Sequence, residues 1–255
     1  MASKLKVIGL GYVGLPVAFE ACRAGLTVTG FDISSDVVER LNAGQSHIDD
    51  LSDGDVAAMR ECGFVATGDP ADLAEGDIFV ICVPTPLSED GAPDLSAVVE
   101  TSRLVGSVIG SGCLVVLEST TYPGTTYGTV RPLLELGSGL IAGVDFSLAY
   151  SPERIDPGNP TYGLRNTPKV VGGLTSACTE RAVEFYGDIV EKVVPTVGLG
   201  EAELAKLLEN TYRHVNIALM NELAVLCHEL EIDLWASIEA ARTKPFGFEA
   251  FYPGP

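Results

Sequence analysis

Near its amino terminus the chain reads Leu5-Lys6-Val7-Ile8-Gly9-Leu10-Gly11-Tyr12-Val13-Gly14. The run from Leu5 to Ile8 has the apolar character of a buried strand and stops at once in a Gly-x-Gly-x-x-Gly turn. A second apolar run, Leu26 to Phe31, closes in Asp32, 18 residues after Gly14. Strand, glycine turn, helix and an acid after the next strand together form the fingerprint of a dinucleotide-binding βαβ unit. Gly9 allows the tight turn, Gly11 lets the backbone approach a pyrophosphate, and Gly14 lets the following helix pack closely on the sheet. That helix starts near Gly14 with Pro16 in its first turn, where a missing N–H costs nothing, so its positive end faces the phosphates. Asp32 is suited to accept hydrogen bonds from a ribose diol while its charge repels a 2′-phosphate, which favours NAD over NADP. A methyltransferase shares the glycine-rich turn and the acid, and the later motifs decide against it.

Outward from this unit, short β-branched runs alternate with amphipathic stretches as far as Val194, the pattern of a parallel sheet covered on both faces. Strands are expected near 5–9, 27–32, 64–66, 77–83, 113–117, 146–150, 169–172 and 192–195. Helices are expected near 14–24, 35–43, 52–61, 95–109, 124–136 and 175–187. Right-handed crossovers then give a doubly wound, mostly parallel, Rossmann-type α/β sheet over 1–198, with ligands at the carboxyl ends of its strands. Gly198 to Gly200 punctuate the pattern, and 201–231 forms one long helical stretch without proline or glycine. Its apolar face includes Leu204, Leu208, Val215, Leu219, Leu223 and Leu226. At about 45 Å it outreaches the first domain, so 199–255 reads as a connecting helix and the start of a middle domain. A dimer built on the 201–231 helix covers its apolar face. A second helix is expected at 234–242, and the tail from Thr243 to Pro255 is loop-like.

The chain has 16 Lys and Arg against 35 Asp and Glu, a formal charge of −19. Nucleic-acid and anionic-membrane partners need clustered cations and are excluded as expectations. A phosphorylated ligand must therefore be met by helix N-termini and a few placed cations. The six cysteines, Cys22, Cys62, Cys82, Cys113, Cys178 and Cys227, are scattered without a CxxC or a histidine cluster. They read as reduced thiols rather than a disulfide framework or a metal site. No apolar run has membrane-spanning length, so a cytoplasmic protein is expected.

The fourth strand ends in Val80-Ile81-Cys82-Val83-Pro84-Thr85-Pro86, where proline fixes a sharp exit and leaves backbone groups free to meet a ligand. The fifth ends in Glu118-Ser119-Thr120-Thr121-Tyr122-Pro123-Gly124-Thr125-Thr126. Thr125 or Thr126 is the better helix cap, which leaves Ser119 and Thr120 for a cofactor or substrate. The sixth runs into Ser151-Pro152-Glu153-Arg154-Ile155-Asp156-Pro157-Gly158-Asn159-Pro160, an acid and a base on a pinned loop, readable also as a surface ion pair. On the long helix Lys206, Asn210, Arg213 and Asn221 fall within roughly 80° of one another and share one face. That stripe is either solvated or a ligand face; two asparagines, mediocre helix formers, argue for the second.

With these residues in hand, the chain resembles the UDP-glucose/GDP-mannose dehydrogenase family over nearly its whole length. The resemblance rests on GLGYVGLP at 9–16, ICVPTP at 81–86, ESTTYPGTT at 118–126, SPERIDPGN at 151–159, PKVVGG at 168–173, EAELAKLLENTYRHVNIALMNELA at 201–224 and TKPFGFEAFYPGP at 243–255. Its wording looks closest to the bacterial N-acetylhexosamine branch. Such enzymes oxidise the C6 alcohol of a nucleotide-diphosphate sugar to a carboxylate with two NAD, through an aldehyde and a cysteine thioester. The resemblance implies a catalytic set of Thr120, Glu153, Lys206 and Asn210. In it Thr120 and Glu153 flank the nicotinamide and a water, and Lys206 and Asn210 hold the developing oxyanion. It adds Tyr12, Val13, Val83, Pro84, Thr85, Ser119, Thr120 and Glu153 to the glycines and Asp32 as cofactor contacts, and implies a UDP-sugar substrate met by Ser151, Pro152, Glu153, Arg154, Lys206, Asn210 and Arg213. One departure stands out. In the family the FxPGP loop, here Phe251 to Pro255, runs on to a nucleophilic cysteine, and no cysteine of this chain has that context. The expectation is therefore an amino-terminal piece of a longer enzyme that binds NAD without full turnover. A non-catalytic dinucleotide-binding dimer and a β-hydroxyacid-type dehydrogenase remain the alternatives.

Overall fold

A computed structural model describes residues 3–88, 90–155, 159 and 161–254. Asp156 to Gly158 and Pro160 of the SPERIDPGN loop, and Pro255 of the tail, lie outside the described residues. The chain divides into two compact units, Met1–Lys206 and Leu207–Pro255.

The first unit holds an eight-stranded sheet in the order β3-β2-β1-β4-β5-β6-β7-β8. The strands are β1 (Lys4–Ile8), β2 (Thr27–Phe31), β3 (Val65–Thr67), β4 (Ile78–Ile81), β5 (Leu114–Leu117), β6 (Ser147–Tyr150), β7 (Lys169–Gly173) and β8 (Val193–Pro195). Each lies within a residue or two of its expected place. Between them run α1 (Gly14–Arg23), α2 (Ser35–Asn42), α3 (Asp53–Glu61), α4 (Ser96–Gly106), α5 (Arg131–Ser138) and α6 (Ser176–Ile189). Side chains of a strand alternate between faces, and the alternation builds two cores. Leu5, Val7, Val80 and Val116 pack with α1, α3 and α6 on one face. Ile8, Phe79, Ile81, Val115 and Leu117 pack with α4 and α5 on the other.

All pairings are parallel except β6 with β7. Among the described residues between these two strands there is no helix to carry a crossover, so the chain returns in the opposite sense. Local signals open several helices: Ser34 accepts from Val37 N at α2, Ser52 and Asp55 form a reciprocal box at α3, and Thr175 accepts from Cys178 N at α6.

The start of α5 departs from expectation. Neither Thr125 nor Thr126 caps it through its side chain; a π-turn at Thr126–Val130 precedes α5, and the cap comes from far along the chain. Glu203, fully buried, accepts hydrogen bonds from Gly124 N at 2.6 Å, Thr126 N at 2.9 Å and Thr126 Oγ1 at 2.7 Å. Glu203 belongs to α7 (Leu199–Glu229), which begins in the first unit and continues into the second.

Within the second unit, α7 and α8 (Leu234–Arg242) enclose a small core of Met220, Leu234 and Ile238, joined by Leu223, Cys227 and Phe251. The tail is tied down as well. Asn221 exchanges two hydrogen bonds with the backbone of Gly254, and the Tyr212 ring meets the edge of Phe251. Leu204, Leu208, Val215, Leu219 and Leu226 of α7 are exposed, leaving an apolar stripe. No helix among the described residues is long and apolar enough to cross a membrane.

Candidate functional site

β1 lies between β2 and β4, so the connections leaving its carboxyl end part to either side and open a crevice. A cleft of about 730 Å³ occupies it, lined from the loop after β1, the end of β2, the loops after β4 and β5, and one flank of α4. That volume suits a sizeable small-molecule ligand. Gly9, Gly11, Tyr12, Val13, Asp32, Val83, Pro84, Thr85, Ser119 and Thr120, all anticipated as cofactor contacts, line this one cleft.

Gly9 and Gly14 take the places in the turn that their spacing predicts. Gly9 has φ +90°, and a Cβ there would meet the carbonyl oxygen of Cys82 at 2.5 Å. A Cβ on Gly14 would lie 1.9 Å from the oxygen of Gly9, so Gly14 packs under the turn rather than lining the cleft. Around Gly11 a Cβ would meet nothing within 4 Å. The space above Gly11 is thus left to a ligand, at the amino end of α1, which has no side-chain cap.

Asp32 is held by Leu10 N on Oδ2 and Ser34 N on Oδ1, both at 2.9 Å. These bonds aim the carboxylate while each oxygen keeps a lone pair for a diol. At the other end, two hydroxyls anticipated as ligand contacts also staple the loops together. Ser119 donates to the carbonyl of Val83 at 2.7 Å, and Thr85 donates to the carbonyl of Thr120 at 2.7 Å. Their oxygens can still accept from a ligand.

Glu153 does not line the cleft; it is 9% exposed on the loop after β6. Its Oε1 accepts from Arg154 N at 2.6 Å and Ile155 N at 2.5 Å, and its Oε2 lies 3.4 Å from Lys169 Nζ. Lys169 bonds Glu118 Oε2 at 2.7 Å, and the Tyr186 hydroxyl donates to Glu118 Oε1. Glu118 lines the cleft and is fully buried; Lys169 is 3% exposed. Burial pushes the Glu118 carboxyl up. It also opposes the charge of Lys169, but Glu118 and Glu153 outweigh it and hold the ammonium above its ordinary range. Sequence reasoning missed this cluster. Its signals were a lysine opening the apolar run Lys169 to Gly173, and a glutamate ending the apolar fifth strand at the ligand edge.

The remaining anticipated residues take these positions. Ser151 is fully buried and donates to Val170 O at 2.8 Å, and Pro152 is buried beside it. The Arg154 guanidinium donates to Pro168 O at 2.7 Å. Lys206 ends the first unit; Asn210 and Arg213 lie on α7 in the second, where Arg213 donates to Asn210 Oδ1 at 3.2 Å. Cys82 is the one cysteine lining the cleft, and burial pushes its thiol well above the ordinary value, against a nucleophilic thiolate there.

These features fit NAD: space above Gly11 at a helix amino end for the pyrophosphate, Asp32 for a ribose, and a second compartment beyond β1 for the nicotinamide half. The comparisons with known proteins agree. Residues 200–255 match the central domain of the UDP-glucose/GDP-mannose dehydrogenase family. The chain is 39% identical over 95% of its length to the UDP-N-acetyl-D-mannosamine dehydrogenase of Pyrococcus horikoshii, of which it covers 58%. It is 40% identical over 98% of its length to the UDP-N-acetyl-D-glucosamine 6-dehydrogenase of Pseudomonas aeruginosa, covering 59% of that protein. The solved structure of a UDP-D-ManNAc dehydrogenase from Pyrococcus horikoshii superposes with a TM-score of 0.93 at 38% identity, over 98% of this chain and 60% of that one. The chain thus spans a little under two thirds of these relatives, and it belongs to the UDP-glucose/GDP-mannose dehydrogenase family, with residues 3–190 as its NAD-binding domain.

Proposed function

We propose that this chain carries the NAD-binding part of an enzyme that oxidises the C6 alcohol of a nucleotide-diphosphate hexose, a UDP-N-acetylhexosamine, to the uronic acid. The observation that carries this reading is the cleft itself, in which Gly11, Asp32 and Thr120 lie on one wall system at the sheet's switch point, taken with the names of the relatives. Bound NAD supplies the hydride acceptor. In this reading Thr120 orients the reacting end from the loop after β5, and Thr85 supports that loop through the Thr120 carbonyl. Glu153 serves as base or water-orienting group, its carboxylate aimed by two backbone N–H groups and by Lys169. Lys206 and Asn210 stabilise the oxyanion, and Arg154, Arg213, Ser151 and Pro152 shape the sugar-nucleotide side.

We further propose a homodimer formed through the exposed stripe of α7, working in the cytoplasm. The six free cysteines accord with a reducing compartment. Burial holds Cys82, the cysteine that lines the cleft, in its thiol form, so in this reading the cleft binds the cofactor and Cys82 is not the nucleophile.

Sequential calorimetric titration tests the reading: NAD first, then UDP-N-acetylglucosamine or UDP-N-acetylmannosamine. Heat with NAD and little response to the sugar nucleotide is the expected pattern. Turnover of a small β-hydroxyacid, followed as NADH absorbance, would instead place the chain among the hydroxyacid dehydrogenases.

A further inference from the structure

The charged residues that line the cleft, Asp32, Glu100 and Glu118, are all acids. Glu118 differs from the other two in being fully buried and in leading into an ionic cluster. Glu118 and Glu153 flank Lys169 at 2.7 and 3.4 Å. Two carboxylates and one ammonium leave one negative charge in excess, away from solvent. The donors around both carboxylates suit the ionised forms, against the burial and the neighbouring Glu153 charge that push Glu118 up. Tyr186 and Lys169 donate to Glu118, while two backbone N–H groups and Lys169 donate to Glu153. A charge so placed acts through a low local dielectric and is screened little by salt.

The cluster sits at a defined end of the cleft. Asp32 ends β2 on one side of β1, which assigns the adenosine half there. Glu118 to Thr120 follow β5, on the other side of β1 beyond β4, which assigns them the nicotinamide half. The two redox forms of the cofactor differ at that ring: the oxidised ring is a cation, and taking up a hydride makes it neutral.

We infer that the buried Glu118–Lys169–Glu153 cluster sets the preference of this cleft for the oxidised over the reduced cofactor, its excess negative charge favouring the cationic ring. The inference rests on the NAD-binding assignment and adds a role for Glu118 and Lys169, as electrostatic residues under the nicotinamide end. A cleft biased in this way binds the reactant form of the cofactor and releases the product form.

The test is the ratio of NADH to NAD⁺ dissociation constants for the intact chain. NAD⁺ is measured by calorimetry and NADH by fluorescence titration, in one buffer. Glu118→Gln removes the excess charge and should lower the ratio about tenfold, the size expected for one unit charge acting over roughly 10 Å at an effective dielectric near 20. The double variant Glu118→Gln/Lys169→Met restores one excess negative charge, on Glu153, and should restore the ratio. Tyr186→Phe removes a hydrogen bond but no charge and should move both affinities by the same factor. If Glu118→Gln does not fold by circular dichroism, Glu153→Gln makes the same change of charge and should give the same shift. An unchanged ratio in Glu118→Gln and Glu153→Gln overturns the inference, as does a double variant that stays at the Glu118→Gln value or a Tyr186→Phe variant that shifts the ratio as far as Glu118→Gln does. Absence of binding of both forms to the unaltered chain would instead overturn the NAD assignment, and the inference with it.

Discussion

At Gly14 a single methyl group meets backbone on its first contact, since a Cβ would lie 1.9 Å from the oxygen of Gly9. Neither atom sits on a flexible side chain. Gly14→Ala should therefore destabilise the chain by about 3 kcal/mol, the upper part of the range for overpacking, read as a lower urea midpoint. Gly11→Ala should behave oppositely. Its Cβ meets nothing within 4 Å, so stability should stay within about 0.5 kcal/mol while NAD affinity falls at least about tenfold as the methyl enters the pyrophosphate space. Lys169 carries a pH prediction. Its folded pKa is raised, so its contribution to stability is fully present below about pH 10.4 and is lost as pH rises through the higher folded value. Lys169→Met should be destabilised at neutral pH and show less additional loss across the alkaline limb of a melting-temperature profile. At this scale the glycines and Asp32 were legible because their jobs are local, each set by a turn or a neighbouring strand end. Lys169, Glu118 and Tyr186 were not, since the contacts that define them join residues 51 and 68 positions apart.

Among the elements, the start of α5 depends on a side chain from α7. Glu203 satisfies two backbone N–H groups and one hydroxyl without exposure to water. Removing it leaves buried donors unpaired, which costs more than an average hydrogen bond contributes. Glu203→Ala should lose on the order of 3 kcal/mol in urea unfolding, and Glu203→Gln, which keeps one acceptor oxygen, should lose less. All eight strands were legible from apolar runs bounded by turn residues, and most helices from their period and caps. The π-turn and the remote cap were not, because Thr125-Thr126 looks like an ordinary hydroxyl cap until Glu203 is brought beside it. The reversed sense of β7 was not anticipated, although no helix was expected between Tyr150 and Lys169 to carry a crossover.

For the whole molecule, the sequence pattern placed the cleft at the strand ends, and the resemblance supplied the proposed substrate class, on which composition is silent. The apolar stripe of α7 was legible as well: five of its six anticipated residues are exposed, while Leu223 packs into the small core of the second unit. If the stripe is covered by a second copy, sedimentation should give a dimer, and Leu208→Asp/Leu219→Asp should give a monomer with NAD affinity retained. A monodisperse monomer of the unaltered chain at high micromolar concentration contradicts the dimer. Binding of NAD in the cleft beside Asp32 is to be measured by calorimetric titration with NAD and NADP, on the unaltered chain and on Asp32→Ala. NAD should bind in the micromolar to millimolar range and NADP at least about tenfold more weakly, with Asp32→Ala weakening NAD by about tenfold or more and narrowing the difference. Equal binding of NAD by the two proteins, or none by either, would contradict it.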